Sequence, residues 1–352
     1  MNSTRRILII RLSSLGDILH TLPAFWSLRQ TFPDAAIDWV VEERNRFLVE
    51  AVAGIDNVLV VDSRRLRRSP LQSAVWKKNL AAIRRMRSRR YDVSLDFQGL
   101  LKTAFLGAIS GARTRIGFSR QLAREPLAHW FYNLRLPPPV SEMHITAQNQ
   151  LLAGLAGAGK VRSLPDLRIE QADIAEVDQQ MAQAQLSEYV VINPGGGWYT
   201  KRWDPVKYGE LARRIGTETG LGVVVTTGPG EEPLYAEIVR HAGNVSPIGM
   251  TLSFLQLVPL LRSARLFIGG DTGPFHLACA LGTPVVGILG PTSPARNGPW
   301  TAGDEAVVRI LPCSFCNGRT CPTGNECMDI SVEAVFESVV KRLRTSSPVD
   351  RR

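Results

Sequence analysis

FIGGDTGPFHLACALGTPVVGILGPTSP, residues 267–294, reads as strand, turn, helix and strand in one short run. An apolar strand from Leu266 ends in Gly269 and Gly270, Asp271-Thr272-Gly273 make a tight turn, and Pro274 suits the first helical position. The helix runs to Leu281, and a second apolar strand follows over Val285 to Leu289. A strand, a helix and another strand in this order form the βαβ unit of a parallel sheet. The turn aims free backbone N–H groups and the positive end of a helix dipole outward. That makes a seat for a phosphate or diphosphate without being a Walker loop. His276, in the first helical turn, stands where it could donate to a phosphate oxygen. On the other reading Asp271 and Thr272 cap the helix and His276 packs beneath it.

The same alternation extends in both directions. Upstream within this half, strands are expected at Tyr189 to Asn193 and Val223 to Thr227, with helices near Pro205 to Thr217, Pro233 to Ala242 and Leu252 to Ser263. Before them, AGLAGAGKVRSLPDLRI (153–169) is rich in Gly, Ala and Pro and marks a boundary. The first half repeats the pattern: strands at Ile7 to Arg11, Ile37 to Val41, Val58 to Val61 and Val93 to Asp96, helices at Asp17 to Thr31 and Leu71 to Arg89. The expected architecture is therefore α/β with two doubly wound domains, 1–165 and 166–352, whose strand ends face a central cleft. A last helix, Ser331 to Leu343, carries Val332, Val335, Phe336 and Val339 on one face and is open to packing on either half.

Composition bounds the function. The chain is 352 residues long, 44% hydrophobic and 21% charged, which describes a globular protein. No apolar run approaches the roughly 18 residues of a membrane helix, and Arg11 cuts the first apolar segment too short for a secretory signal. A cytoplasmic location is expected. Lys and Arg outnumber Asp and Glu by 42 to 32, and the excess gathers in RRLRR (64–68) and IRRMRSRR (83–90), with Arg113, Arg115 and Arg120 downstream. Such clusters suit an anionic membrane or a phosphorylated substrate, or else are solvated helix faces. No zinc-finger spacing or aromatic stacking strand accompanies them, so no nucleic-acid partner is expected.

Three further loops carry chemistry. NPGGGWYTKRW (193–203) follows a strand, and its glycines, Gly195 and Gly196 among them, allow close backbone approach to a ligand. Lys201 on that loop could neutralise a leaving diphosphate. TTGPGEEP (226–233) follows the next strand, where Glu231 or Glu232 could take ribose hydroxyls or simply favour a helix start. Near the N-terminus, SSLGD (13–17) has capping-box spacing, with Ser14 opening a helix and Asp17 closing the box. The loop after the first strand should also face the cleft, where the Asp17 carboxylate could accept the proton of an attacking hydroxyl. His20, one turn on, reads as structural.

With these residues in place the chain resembles glycosyltransferase family nine, the ADP-heptose:lipopolysaccharide heptosyltransferases. The resemblance rests on RLSSLGDILHTLP, on YDVSLDFQGLLKTAFLGAISGARTRIGF (91–118), on NPGGGWYTKRW and on GGDTGPFHLACALGTPVVGILGPTSP, in that order. It implies a GT-B architecture of two Rossmann-like domains and an inverting transfer that uses no metal. Asp17 looks like the family's catalytic base and Lys201 like its residue for the donor's phosphate and sugar. Asp271, Thr272, Gly273 and His276 are similar to its diphosphate turn, Glu232 or Glu231 would take the ribose, and Met250 would lie against adenine. The implied partners are ADP-heptose and an anionic acceptor, Kdo-lipid A or heptosylated core. Arg64, Arg67, Lys102, Arg113 and Arg120 are its expected contacts, and the Arg84 to Arg90 helix would touch the cytoplasmic face of the inner membrane. A different donor or acceptor sugar, or a non-catalytic nucleotide-sugar or lipid binder, are the competing readings. Both Asp17 and Lys201 argue against the binder.

Four of five cysteines fall in CSFCNGRTCPTGNEC, at Cys313, Cys316, Cys321 and Cys327. A candidate structural zinc, reduced thiols or a redox-dependent disulfide are the readings of that run. Cys279, inside the helix after the phosphate turn, is expected in the core.

Overall fold

The computed structural model describes residues 6–69, 72–161 and 164–345. The chain divides into two compact units, Met1–Arg168 and Ile169–Arg352.

In the first unit the elements run β1 Arg6–Ile10, α1 Leu15–Leu19, α2 Leu22–Thr31, β2 Ala36–Glu42, α3 Arg46–Ala51, β3 Asn57–Val61 and α4 Ser63–Arg68. They continue with α5 Ser73–Ser88, β4 Val93–Asp96, α6 Leu101–Ile109, β5 Thr114–Phe118, β6 Leu134–Leu136 and α7 Ile145–Gly154. The strands form one parallel sheet in the order β3-β2-β1-β4-β5-β6. Ile7 to Ile10 are all fully buried. This strand shows no alternation because helices cover both faces of a parallel sheet.

The helix expected from Asp17 to Thr31 is two helices. Pro23 has no N–H to give and its ring would strike the carbonyl one turn back, so α1 stops and α2 restarts with Pro23 in its first turn. The helix expected over Leu71 to Arg89 is α5, and Leu71 itself lies outside the described residues.

The second unit runs α8 Gln171–Gln183, β7 Tyr189–Asn193, α9 Pro205–Thr219, β8 Gly222–Thr227, α10 Glu232–His241, β9 Ile248–Thr251, α11 Leu257–Ser263 and β10 Leu266–Gly270. After these come α12 Gly273–Leu281, β11 Val285–Leu289, α13 Pro294–Asn297, β12 Glu305–Val308 and α14 Val332–Thr345. Its parallel sheet has the order β12-β11-β10-β7-β8-β9. The last helix packs within this unit: Val335, Phe336 and Val339 are buried in one core with Val286, Ile288 and Trp203.

Each sheet reverses its winding once, between β1 and β4 in the first unit and between β7 and β10 in the second. At such a switch point two loops diverge at the carboxyl ends of neighbouring strands and leave a crevice, the place where open α/β sheets bind ligands. Asp17 follows β1; Lys201 and Asp271 follow β7 and β10.

Candidate active site

At the first switch point the chain leaving β1 is pinned from both sides. Arg11 N–H donates to the Val40 carbonyl at 3.2 Å, and the Arg11 carbonyl accepts Trp39 Nε1 at 3.1 Å. Leu12 N–H donates to Gln98 Oε1 at 2.8 Å and its carbonyl accepts Asn45 Nδ2 at 2.9 Å. The Arg11 guanidinium turns inward, with Nη1 on the Phe97 carbonyl and Nη2 2.6 Å from Asp17 Oδ1. Asp17 Oδ2 accepts the Ser14 N–H at 2.9 Å and the Ser14 hydroxyl at 3.1 Å. The helix-closing role and a buried charge pair therefore coexist in one carboxylate. Arg11 is 7% exposed and Asp17 30%, so the base candidate keeps one side open while its partner is sealed. Burial alone would push the Asp17 carboxyl up. The Arg11 charge, the two Ser14 hydrogen bonds and the Arg124 charge outweigh it and hold Asp17 below the usual carboxylate value.

Arg11 and Arg124 escaped the sequence reading, which took Arg11 as the last residue of a strand. The available signal was an arginine closing an otherwise apolar central strand, a place where an unpaired guanidinium is not tolerated. His20 is buried at 2% exposure, in keeping with its structural reading.

Among the expected acceptor cations, Arg64 and Lys102 share a neighbourhood. Buried Glu42, at the end of β2, accepts Arg64 N–H at 3.0 Å and Ser63 Oγ at 2.8 Å, and Lys102 Nζ donates to Ser63 Oγ at 3.0 Å. Burial, followed by the charge of Arg64, lowers the pKa of Arg44, which places a third cation in the group that the sequence did not single out. Arg113 and Arg120 are both exposed but flank opposite ends of β5, roughly 20 Å apart along the strand. Arg120 lies at the carboxyl end, as Asp17 does; Arg113 lies at the other. The Arg67 side chain is outside the described residues.

At the second switch point Asp271 is the hub. Its Oδ2 is 2.7 Å from Lys201 Nζ, its Oδ1 is 2.7 Å from His276 Nε2, and its carbonyl accepts Lys201 Nζ at 3.3 Å. Burial would raise this carboxyl, but His276 and Lys201 together hold it far below the usual range. The Asp271 carboxylate and the His276 ring are both buried and turned to each other. His276 thus packs beneath the turn, as in the second reading of the sequence, and Asp271 acts as an anchor for Lys201. Two of the three ammonium donors of Lys201 go to Asp271, and the ammonium also lies 4.4 Å from the centre of the Trp198 ring. Thr272 and Gly273 open α12, with Pro274 in its first turn. At Gly270 a Cβ would stand 2.7 Å from the Lys201 carbonyl, so the two loops can meet only over a glycine.

Glu231 joins the neighbouring loops. Its carboxylate accepts Gly196 N–H at 3.2 Å and Gly228 N–H at 2.8 Å, and it occupies the space where a Gly195 Cβ would project. Glu232, at the start of α10, is exposed and accepts Gly230 N–H at 3.2 Å. Of the two acids, Glu232 is the one presented to solvent. Met250, on β9, is 2% exposed.

The cysteine run forms a loop whose thiols Cys313, Cys316, Cys321 and Cys327 line one small cavity together with Thr200 and Glu326. All are free thiols, and among the described residues no three Cys, His or acidic side chains stand where they could hold a metal ion. Three of the sulfurs have local partners, which fits the reduced-thiol reading of the run. Cys316 Sγ accepts Gly318 N–H at 3.4 Å, Cys321 Sγ lies 3.4 Å from Thr323 Oγ1, and Cys327 is buried beneath Gly290. This loop also braces the one bearing Lys201: Thr200 Oγ1 donates to the Gly318 carbonyl at 2.8 Å and the Arg319 guanidinium lies 4.8 Å from the Trp198 ring centre. Cys279 is buried, and burial raises its thiol pKa.

The chain is 30% identical to lipopolysaccharide heptosyltransferase 1 of Pseudomonas aeruginosa over 319 residues, 90% of this chain and 87% of that protein. Its fold matches E. coli heptosyltransferase WaaC solved with ADP, with a TM-score of 0.76 and 26% identity over 96% of this chain and 99% of that one. The same enzyme with ADP-2-deoxy-2-fluoro heptose matches with a TM-score of 0.74 over the same shares, again at 26% identity. The profile of glycosyltransferase family 9 (heptosyltransferase) covers residues 79–326, more than half of the sequence, and the chain belongs to that family.

Proposed function

We propose that this glycosyltransferase moves a heptose from ADP-heptose to the Kdo/heptose inner core of lipopolysaccharide, by a single inverting displacement that needs no metal. The observation that carries the reading is the Arg11–Asp17 pair at the first switch point, a carboxylate held ionised with one side open. The Pseudomonas relative is named a lipopolysaccharide heptosyltransferase, and WaaC was solved with ADP-2-deoxy-2-fluoro heptose, which supports this donor and acceptor class.

In the proposed step the acceptor hydroxyl oxygen attacks the anomeric carbon while its proton passes to Asp17. The bond from that carbon to the diphosphate breaks with its electron pair, and ADP leaves. The growing negative charge is met by the remaining Lys201 donor and by the backbone N–H groups opening α12, all fixed before the reaction begins. Asp271 and His276 work behind Lys201 by holding its ammonium in place. Glu232 would take ribose hydroxyls. Arg44, Arg64, Lys102 and Arg120 would meet the phosphates and carboxylates of a lipid-linked acceptor at the cytoplasmic face of the inner membrane.

Asp17→Asn tests the base. The isosteric amide should keep ADP affinity within twofold and lower kcat by about 10²–10⁴. A variant that retains a tenth or more of the wild-type rate removes Asp17 from that role. Mass spectrometry of products from ADP-heptose, ADP-mannose and UDP-sugars with Kdo-lipid A decides the donor.

A further inference from the structure

The first unit carries an apolar surface that the transfer chemistry does not use. Leu101 and Phe105, four residues apart on α6, are 39% and 51% exposed. The 3₁₀ segment Pro126–Phe131 packs against α6, and Phe105 meets Phe131 edge-on with ring centres 6.3 Å apart. Residues three apart eclipse in a 3₁₀ turn, so Leu127 and Trp130 share an edge, while Ala128 points into the core. Leu127 is 58% exposed and Trp130 72%. Two apolar rows thus adjoin at the Phe105–Phe131 contact and face solvent.

The charge around them has one sign. Between residues 101 and 135 there are six Lys and Arg and one acid, Glu125, and Glu125 is committed to the N–H of Leu101 at 2.6 Å. Arg124, two residues before the 3₁₀ segment, also helps to hold Asp17 ionised, which puts this surface beside the proposed base. A tryptophan and leucines set among arginines and a lysine match a bilayer interface, where the apolar side chains enter the acyl boundary and the cations meet lipid phosphates.

We propose that the α6 and Pro126–Phe131 surface docks on an anionic phospholipid bilayer, with Leu127 and Trp130 entering it. The benefit rests on the transferase reading, since docking would bring a lipid-linked acceptor to Asp17. The test contains neither sugar nor nucleotide, so the two can fail separately.

Full-length protein is sedimented with vesicles of phosphatidylglycerol and phosphatidylethanolamine, and with neutral phosphatidylcholine vesicles. The expected result is binding to the anionic vesicles only, falling as salt rises. Leu127→Ser/Trp130→Ser should weaken it at least tenfold with an unchanged melting temperature, as both side chains are exposed. Brominated acyl chains should quench part of the tryptophan emission, and Trp130→Phe should remove that part while binding persists. Undiminished binding by the double variant, quenching that survives Trp130→Phe, or no binding to anionic vesicles overturns the proposal. So does binding that is lost in Arg84→Glu/Arg87→Glu of α5 and kept in the double variant, or self-association in solution that the double variant abolishes while vesicle binding stays.

Discussion

Asp271→Ala removes the acid that Lys201 and His276 share. The side chains of Asp271 and His276 are 4% exposed and that of Lys201 is 15%. Deleting one partner of a buried charge pair costs about 3–5 kcal/mol, because the survivor is left desolvated. Here Lys201 has a short route to water and rests on Trp198, so the lower end, about 3 kcal/mol, applies. For a unit of this size each kcal/mol lowers the melting temperature by about 3 °C, giving a drop of about 9 °C. The pH dependence follows from the sign of the shift. Asp271 has a depressed folded pKa. Its contribution is therefore complete above the unfolded carboxylate value of about 3.9 and fades as pH falls below it. Circular dichroism melts should show the full deficit from pH 6 to 8 and a narrowing gap below about pH 4. A variant melting within 1 °C of wild type, or a gap that widens in acid, refutes the anchor role.

Arg11→Gln takes away the charge that keeps Asp17 low, so the acidic limb of kcat/KM should move to higher pH while the neutral plateau stays; an unmoved limb leaves Arg11 as packing only. Gly270→Ala forces a methyl to within 2.7 Å of the Lys201 carbonyl. Overpacking of about 1–3 kcal/mol should lower the melting temperature by several degrees and weaken ADP binding in calorimetry; unchanged values would mean the loop yields freely. Because three of the four thiols already have local partners, a chelator should leave the melting temperature within 1 °C; stoichiometric zinc release with a lower melt would show a site that forms only around the ion.

How much of this was legible in the sequence depended on burial. Central strands such as β1, β7 and β10 are continuous apolar runs because both faces are covered, and each stood out. β5, with arginine and glycine in TRIGF, and the outer strands β6, β9 and β12 lack such runs and were missed. Local signals also placed Asp17, Lys201 and Asp271 at strand-to-helix turns. Their partners were hidden, because Arg11 reaches Asp17 across a turn and the Glu231 carboxylate reaches Gly196, thirty-five residues away in the chain. Side-chain direction decided the rest: spacing put His276 beside the phosphate seat, and the helix face it occupies turned it underneath.

The brace between Thr200 and Gly318, with Arg319 over Trp198, makes residues 194–202 and 313–327 a single module for exchange between relatives. A chimera that imports only one of the two segments would meet a foreign counterpart where hydroxyl, carbonyl, ring and guanidinium must match. Divergence in the thiol-bearing stretch is therefore constrained by the lysine it steadies from more than a hundred residues away.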